Sequence, residues 1–131
     1  MGKFSFRKEE RLSREKHIQE LFDKGSSFYL FPFKVFFKPH PDPDTAVHQV
    51  LISVSSRNFK RAVDRNLIKR RMREAYRLQK QTLPESPKLM VGLVYAHKEI
   101  LVFDEIRQKL LPVLLRISKI RFDVTPISKT N

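Results

Sequence analysis

Cysteine is absent from this 131-residue chain, which excludes a disulfide framework, a thiolate zinc site and a cysteine nucleophile, and fits a reducing compartment. Glycine occurs only three times, as Gly2, Gly25 and Gly92, so no glycine-rich phosphate loop can be assembled. Long apolar runs are missing as well. The longest, from Phe28 to Phe37, is interrupted by Pro32 and Lys34 and is too short to span a bilayer. Residues from Met1 to Ser13 are charged rather than apolar, which does not suit a secretory signal. The expectation is a cytoplasmic protein without a membrane partner. Acidic residues are scarce too, at 14 against 27 Lys and Arg, for a formal net charge of +13. On a domain this small, that excess points to nucleic acid first and to an anionic membrane second.

What is present suffices for one packed domain: 40% apolar residues, including eleven Phe. Residues 1–12 read as a basic, flexible arm, or one docked on the domain; 13–119 read as the domain and 120–131 as a C-terminal tail. Ser13 is the expected N-cap of a first helix with Ile18, Leu21 and Phe22 on one face and Gly25 as its stop. Phe28 to Lys38 reads as one aromatic strand, with Pro32 favouring an edge or bulge. His40 to Thr45 is a loop, and Val47 to Ser55 a second strand. A helix from about Arg61 to Lys80 follows. Lys88 to His97 has the apolar continuity of a buried central strand. Phe103 to Lys119 is the last helix, with Asp104 as cap, Leu110, Leu114 and Ile117 facing the core, and a kink or break at Pro112. This order predicts an α+β sandwich, with one mixed sheet of about four strands and three helices largely on one face.

Charge is concentrated between Arg57 and Arg77, where nine basic residues face two acidic ones, Asp64 and Glu74. At about 100° per residue, Ile68, Met72, Ala75 and Tyr76 form the core-facing stripe, flanked by Leu67 and Leu78. Arg65, Lys69, Arg73 and Arg77 recur every fourth residue as a cationic ridge, with Arg70 beside Arg77. Arg71 falls back toward the apolar side, as a snorkelling side chain or a carboxylate's partner. A merely soluble helix face would alternate signs, because like charges four residues apart repel. A membrane-surface helix would need the apolar stripe that the core requires. Phosphates are the fitting counter-charge, and arginine suits their bidentate recognition. Asp64 and Glu74 read as ion-pair tuning of this helix, Glu74 with Arg70.

The other candidates are weaker. His17, His40, His48 and His97 show no ligand spacing. Asp42 and Asp44 could chelate a cation but read equally well as a solvated loop. The aromatic residues between Phe28 and Phe37 alternate, with Phe31, Phe33 and Val35 on one side and Pro32, Lys34 and Phe36 on the other. One side is core; the other is covered by the first helix or open for stacking on unpaired bases.

The run Arg65, Asn66, Lys69, Arg70, Arg73, Glu74, spaced R-N-x-x-K-R-x-x-R-E, resembles the signature of the bacterial ribonuclease P protein subunit. The segments ISVSSR (Ile52 to Arg57), FKRAVDRN (Phe59 to Asn66), RLSREKHIQELFDKGSSF and LMVGLVYAHK resemble that family's surrounding elements, over roughly Arg11 to Lys119. The resemblance implies an α-β sandwich with a left-handed βαβ crossover, and partnership with the ribonuclease P RNA and precursor tRNA, with no protein partner required. The RNA-facing set would comprise Arg57, Arg61, Arg65, Asn66, Lys69, Arg70, Arg73 and Arg77. A cleft for the single-stranded 5′ leader would involve Ile18, Phe22, Phe36, Ser56 and Arg57. No residue of this chain would be catalytic or hold a metal; Mg²⁺ would be bound mainly by the RNA subunit. Four positions depart from the family pattern: Leu67, where arginine is frequent, Ile18, where an aromatic is usual, and Ser56 and Arg57, where lysines are common. The alternatives are a general RNA-binding or ribosomal protein, and a metal-dependent nuclease using Asp42, Asp44 or Asp64.

Overall fold

A computed structural model describes residues 6–120. Helix α1 (Glu15–Lys24) leads into strands β1 (Ser26–Leu30), β2 (Phe33–Pro39) and β3 (Gln49–Val54). Helix α2 (Ala62–Gln79), strand β4 (Leu89–Tyr95) and helix α3 (Phe103–Ser118) complete the order, with single 3-10 turns at Lys8–Glu10 and Lys80–Thr82. The sheet runs β1-β2-β4-β3. β2 is antiparallel to both β1 and β4, whereas β3 lies parallel to β4 with α2 as the crossover between them. This is the expected α+β sandwich with a mixed four-stranded sheet.

Strand alternation sorts the sheet into two faces. Phe33, Val35, Phe37, Val50, Val54, Leu89, Val91, Leu93 and Tyr95 point to one face and merge with Ile68, Met72 and Tyr76 of α2 and Ile106, Leu110 and Leu114 of α3 in one buried core. Each fully buried aliphatic side chain there contributes about 1.5–3 kcal/mol of hydrophobic stabilisation. The opposite face carries a smaller core of Leu12, Leu21 and Met90, with Ile18, Phe36 and Leu51 packed on it. Thus α2 and α3 share one face, and α1 sits on the other. Gly92 permits that approach: a Cβ there would lie 3.2 Å from the Leu21 side chain and 3.8 Å from the Phe22 ring. A glycine in a central strand marks this kind of close packing.

Several local expectations change. The aromatic stretch is a hairpin, not one strand: β1 ends at Leu30, β2 begins at Phe33, and Phe31 and Pro32 make the turn. Phe33, Val35 and Phe37 are the core side and Lys34 and Phe36 the other, so the predicted alternation holds within β2. Arg14, not Ser13, caps α1, and Val102, not Asp104, caps α3; Asp104 lies in the first turn and pairs with Arg107 at 3.0 Å. Helix α3 continues as one element through Pro112, so of the expected kink or break the break does not occur. Its first-turn and core contacts on both sides of the proline outweigh the one hydrogen bond the ring removes.

From Phe6 onward the N-terminal arm is docked. Arg11 bridges to Val50, the Leu12 N–H donates to the Val50 carbonyl at 3.0 Å, and Phe6 packs edge-on against Tyr76 at 5.5 Å. Glu10 seals the joint through a 2.6 Å ion pair with Lys80, both side chains largely buried. Residues 1–5 of the arm and 121–131 of the tail lie outside the described residues.

Candidate nucleic-acid interface

Helix α2 buries Ile68, Met72, Ala75 and Tyr76, the stripe its periodicity predicts. Its two flanks differ. On one, Arg71 donates to the Leu101 carbonyl at 2.7 Å and Gln79 to the Arg107 carbonyl at 3.0 Å, tying α2 to α3 and the loop before it. Arg71 is therefore a backbone clamp rather than a carboxylate's partner. Leu67, half-buried, falls between Arg71 and Arg70 by helical rotation, about 60° from Arg70.

The other flank carries the ridge, with unequal freedom along it. Arg65 donates to the Phe59 and Lys60 carbonyls at 2.7 and 2.9 Å, fixing the turn that enters the helix. Two of its guanidinium donors are thereby engaged, and the rest remain for a ligand. At the far end Arg77 forms a two-pronged contact with Glu74, at 2.6 and 3.1 Å. Glu74 thus serves Arg77 rather than Arg70, and this hydrogen bond holds its carboxyl below the usual carboxylate range. Asp64 pairs with Arg61 at 3.9 Å, not with its neighbour Arg65. Between these ends, Lys69, Arg70 and Arg73 make no ion pair among the described residues. Burial first, and then the neighbouring charges of Arg11 and Arg70, push the Arg73 guanidinium below the ordinary arginine value. Arg11 is a member of this cluster that helical spacing could not reveal, since the fold brings it there from another segment. Asn66 is exposed beside the ridge.

The α1 face of the sheet holds the second candidate surface. The backbone registers divide it into rows across the strands. Gln49, Met90 and Lys38 form the first row, where Lys38 pairs with Glu20 of α1 at 3.1 Å. Leu51, Gly92, Phe36 and Ser27 form the next, against which Leu21 and Phe22 rest. The Phe22 and Phe36 rings meet edge to face at 4.6 Å, and Phe22 remains 37% exposed. Ile18 packs on the small core beside Phe36 and Leu51. Beyond lies the row Ser53, Val94, Lys34 and Tyr29, half-buried except for the exposed Tyr29. Ser56 and Arg57 are exposed just past the end of β3, where the Arg57 N–H donates to Ser55 Oγ at 3.1 Å. Of the residues the family resemblance implies, the structure brings Ile18, Phe22 and Phe36 together on this face, whereas Ser56 and Arg57 lie past the end of β3.

The remaining candidates are structural. His48 accepts the Leu89 N–H on Nδ1 at 3.0 Å and places Nε2 2.7 Å from the Pro84 carbonyl. Only the neutral ring protonated on Nε2 satisfies both partners. Burial accordingly holds its pKa below the ordinary value of 6.5. His17 and His40 meet edge to face at 5.1 Å, and His40 contacts Gln49 at 2.7 Å. Asp42 Oδ1 accepts the Asp44 N–H at 3.0 Å, closing the loop on itself. Among the described residues, no group of three His, Asp or Glu side chains is placed to hold a metal ion. Nor is any helix among them long and apolar enough to cross a membrane.

Fold and surfaces together define a small basic α-β sandwich with an unneutralised arginine–lysine flank and a half-covered aromatic sheet face. The Ribonuclease P family model matches residues 6–118: the chain belongs to the ribonuclease P protein family. It is 39% identical over 80 residues to the ribonuclease P protein component of Porphyromonas gingivalis, a match covering 61% of this chain and 58% of that protein. It is 28% identical over 120 residues to that of Desulfovibrio desulfuricans, covering 91% of each. The matched segment thus spans little more than half of the Porphyromonas relative but nearly all of the Desulfovibrio one. Among solved structures, the RNase P protein from Thermotoga maritima superposes with a TM-score of 0.69 at 27% identity, covering 82% of this chain and 97% of that one. The Staphylococcus aureus RNase P protein shares the fold, with a TM-score of 0.67 at 24% identity, 84% of this chain and 95% of that one being covered.

Proposed function

We propose that this chain is the protein subunit of a ribonuclease P, the endoribonuclease that trims the 5′ end of precursor tRNA. In this reading the flank of α2 around Lys69, Arg70 and Arg73, with Arg57, Arg61, Arg65 and Asn66 at its approach, neutralises phosphates of the catalytic RNA. The mouth between α1 and the sheet, with Phe22, Phe36, Ile18, Ser56 and Arg57, holds the unpaired 5′ leader. The observation that carries the proposal is the separation of these two surfaces. A row of cations without carboxylate partners suits a phosphate backbone, and exposed aromatic rings beside cations suit unstacked bases. Hydrolysis would be performed with Mg²⁺ held by the RNA subunit.

Reconstitution tests this directly. The purified chain alone is expected to leave precursor tRNA intact, and to restore cleavage at low Mg²⁺ when added to the catalytic RNA. Cleavage by the chain alone would make it a nuclease in its own right. Binding of RNA without any help to cleavage would make it a general RNA-binding protein.

A further inference from the structure

We propose that the leader path does not end at Phe36 but continues across the hairpin to a further nucleotide subsite built from Lys34 and Tyr29. This deepens the leader-binding reading and rests on it. Three observations carry the extension. First, the row Ser53–Val94–Lys34–Tyr29 is continuous by register across all four strands, and Val94 is the one β4 position that is not buried. The sheet therefore offers a partly exposed shelf, about 14 Å wide at the usual strand spacing, leading from Ser53 on the β3 edge to Tyr29 on the β1 edge.

Second, the two lysines that β2 turns to this face are treated differently. Lys38, beneath α1, is neutralised by Glu20. Lys34, on the open row, meets no carboxylate among the described residues; its ammonium lies 5.8 Å from the centre of the Phe36 ring. That cation–π contact fixes the charge beside an aromatic surface without discharging it. Third, Tyr29 stands directly across from Lys34 and is 53% exposed, with no ring or hydrogen-bond partner among the described residues. Unlike Phe28 and Leu30, its neighbours in β1 that pack on the main core, Tyr29 buries little against the protein. An exposed ring beside an unneutralised cation is the arrangement that takes one base by stacking and its phosphate by charge. A protein ligand would find little apolar area here, and the net charge of +13 favours a polyanion.

The test uses the complex reconstituted with the catalytic RNA, and precursor tRNAs whose leaders lengthen one nucleotide at a time. Equilibrium affinity is measured for the wild type, Tyr29→Ala, Tyr29→Phe, Lys34→Ala and Phe22→Ala, and thermal melting establishes that each variant folds. Tyr29→Ala is expected to weaken binding about tenfold, but only for leaders beyond a threshold length, while Tyr29→Phe retains the wild-type affinity. Lys34→Ala should lower the salt dependence for those long leaders by about one phosphate contact. If Phe22→Ala loses leader affinity while Tyr29→Ala matches the wild type at every length, the extension is overturned and the cleft stands. If Phe22→Ala also has no effect, the cleft reading falls and the extension with it. An equal loss for leaderless tRNA in Tyr29→Ala would likewise overturn a leader subsite.

Discussion

On the α2–α3 face of the sheet, Phe33, Val35, Leu93 and Tyr95 are sealed from water; one residue along the same strands, Lys34 and Val94 keep contact with it. Both faces are drawn from the same strands. What differs is the cover. Two helices of 18 and 16 residues close one side, whereas the 10-residue α1 reaches only part of the other. The closed face has stability as its whole task. The open one gives up apolar burial and keeps aromatic rings and a lysine available. Helix α2 repeats the contrast around its own axis, with Arg71 spent on a backbone clamp to Leu101 while Arg70 and Arg73 across the helix remain without carboxylates.

The largest effect should come from the closed face. Leu93→Ala, at a fully buried position, is expected to cost about 2–5 kcal/mol in denaturant unfolding. RNA affinity measured below the transition should stay near wild type. A loss of RNA affinity without a loss of stability would erase the distinction between the faces. Next comes the joint that docks the arm. Glu10→Gln removes the carboxylate from a 2.6 Å pair with Lys80 and should cost about 1–3 kcal/mol, between the exposed and fully buried limits. Faster amide exchange around Leu12 would accompany it.

Smaller effects separate the residues along the ridge. Arg73→Ala should reduce the salt slope of RNA binding by about one phosphate contact. Arg77→Ala should reduce it by less, because Glu74 already neutralises that charge. Equal slopes for the two would contradict the partition. Smallest is the His48 contribution. Because its folded pKa is depressed, its stabilisation is complete above 6.5 and is lost as pH falls from there through the lower folded value. The melting temperature of wild type should therefore decline with acidity more steeply than that of His48→Gln. Parallel pH profiles would show that the ring is not held neutral.

Much of this was legible in the sequence where periodicity carries the signal. The buried stripe Ile68, Met72, Ala75 and Tyr76 follows from helical spacing, and β4 from an apolar run that pairing on both sides explains. The hairpin was not legible, because aromatic density on both sides of Pro32 imitates one continuous strand. The same limit applies to partners. Glu74 has arginines at both i−4 and i+3, and spacing alone does not choose Arg77. Glu10 and Lys80 are 70 residues apart, and Arg11 joins the Arg70–Arg73 cluster only through its bridge to β3. A role for Ile18, Phe22 and Phe36 in holding a leader is implied by the family resemblance alone. The row that sets Lys34 and Tyr29 in register is visible only from the strand pairing.

If the half-covered face reads the leader, it sets the preference for precursor over mature tRNA. The most direct measurement is the ratio of affinities for precursor and mature tRNA in the reconstituted complex, compared between wild type and Phe22→Ala. Phe22 is 37% exposed, so the variant should fold. The ratio is expected to fall about five- to tenfold, the worth of one stacked base, with mature tRNA bound as before. An unchanged ratio in a folded Phe22→Ala complex would contradict it.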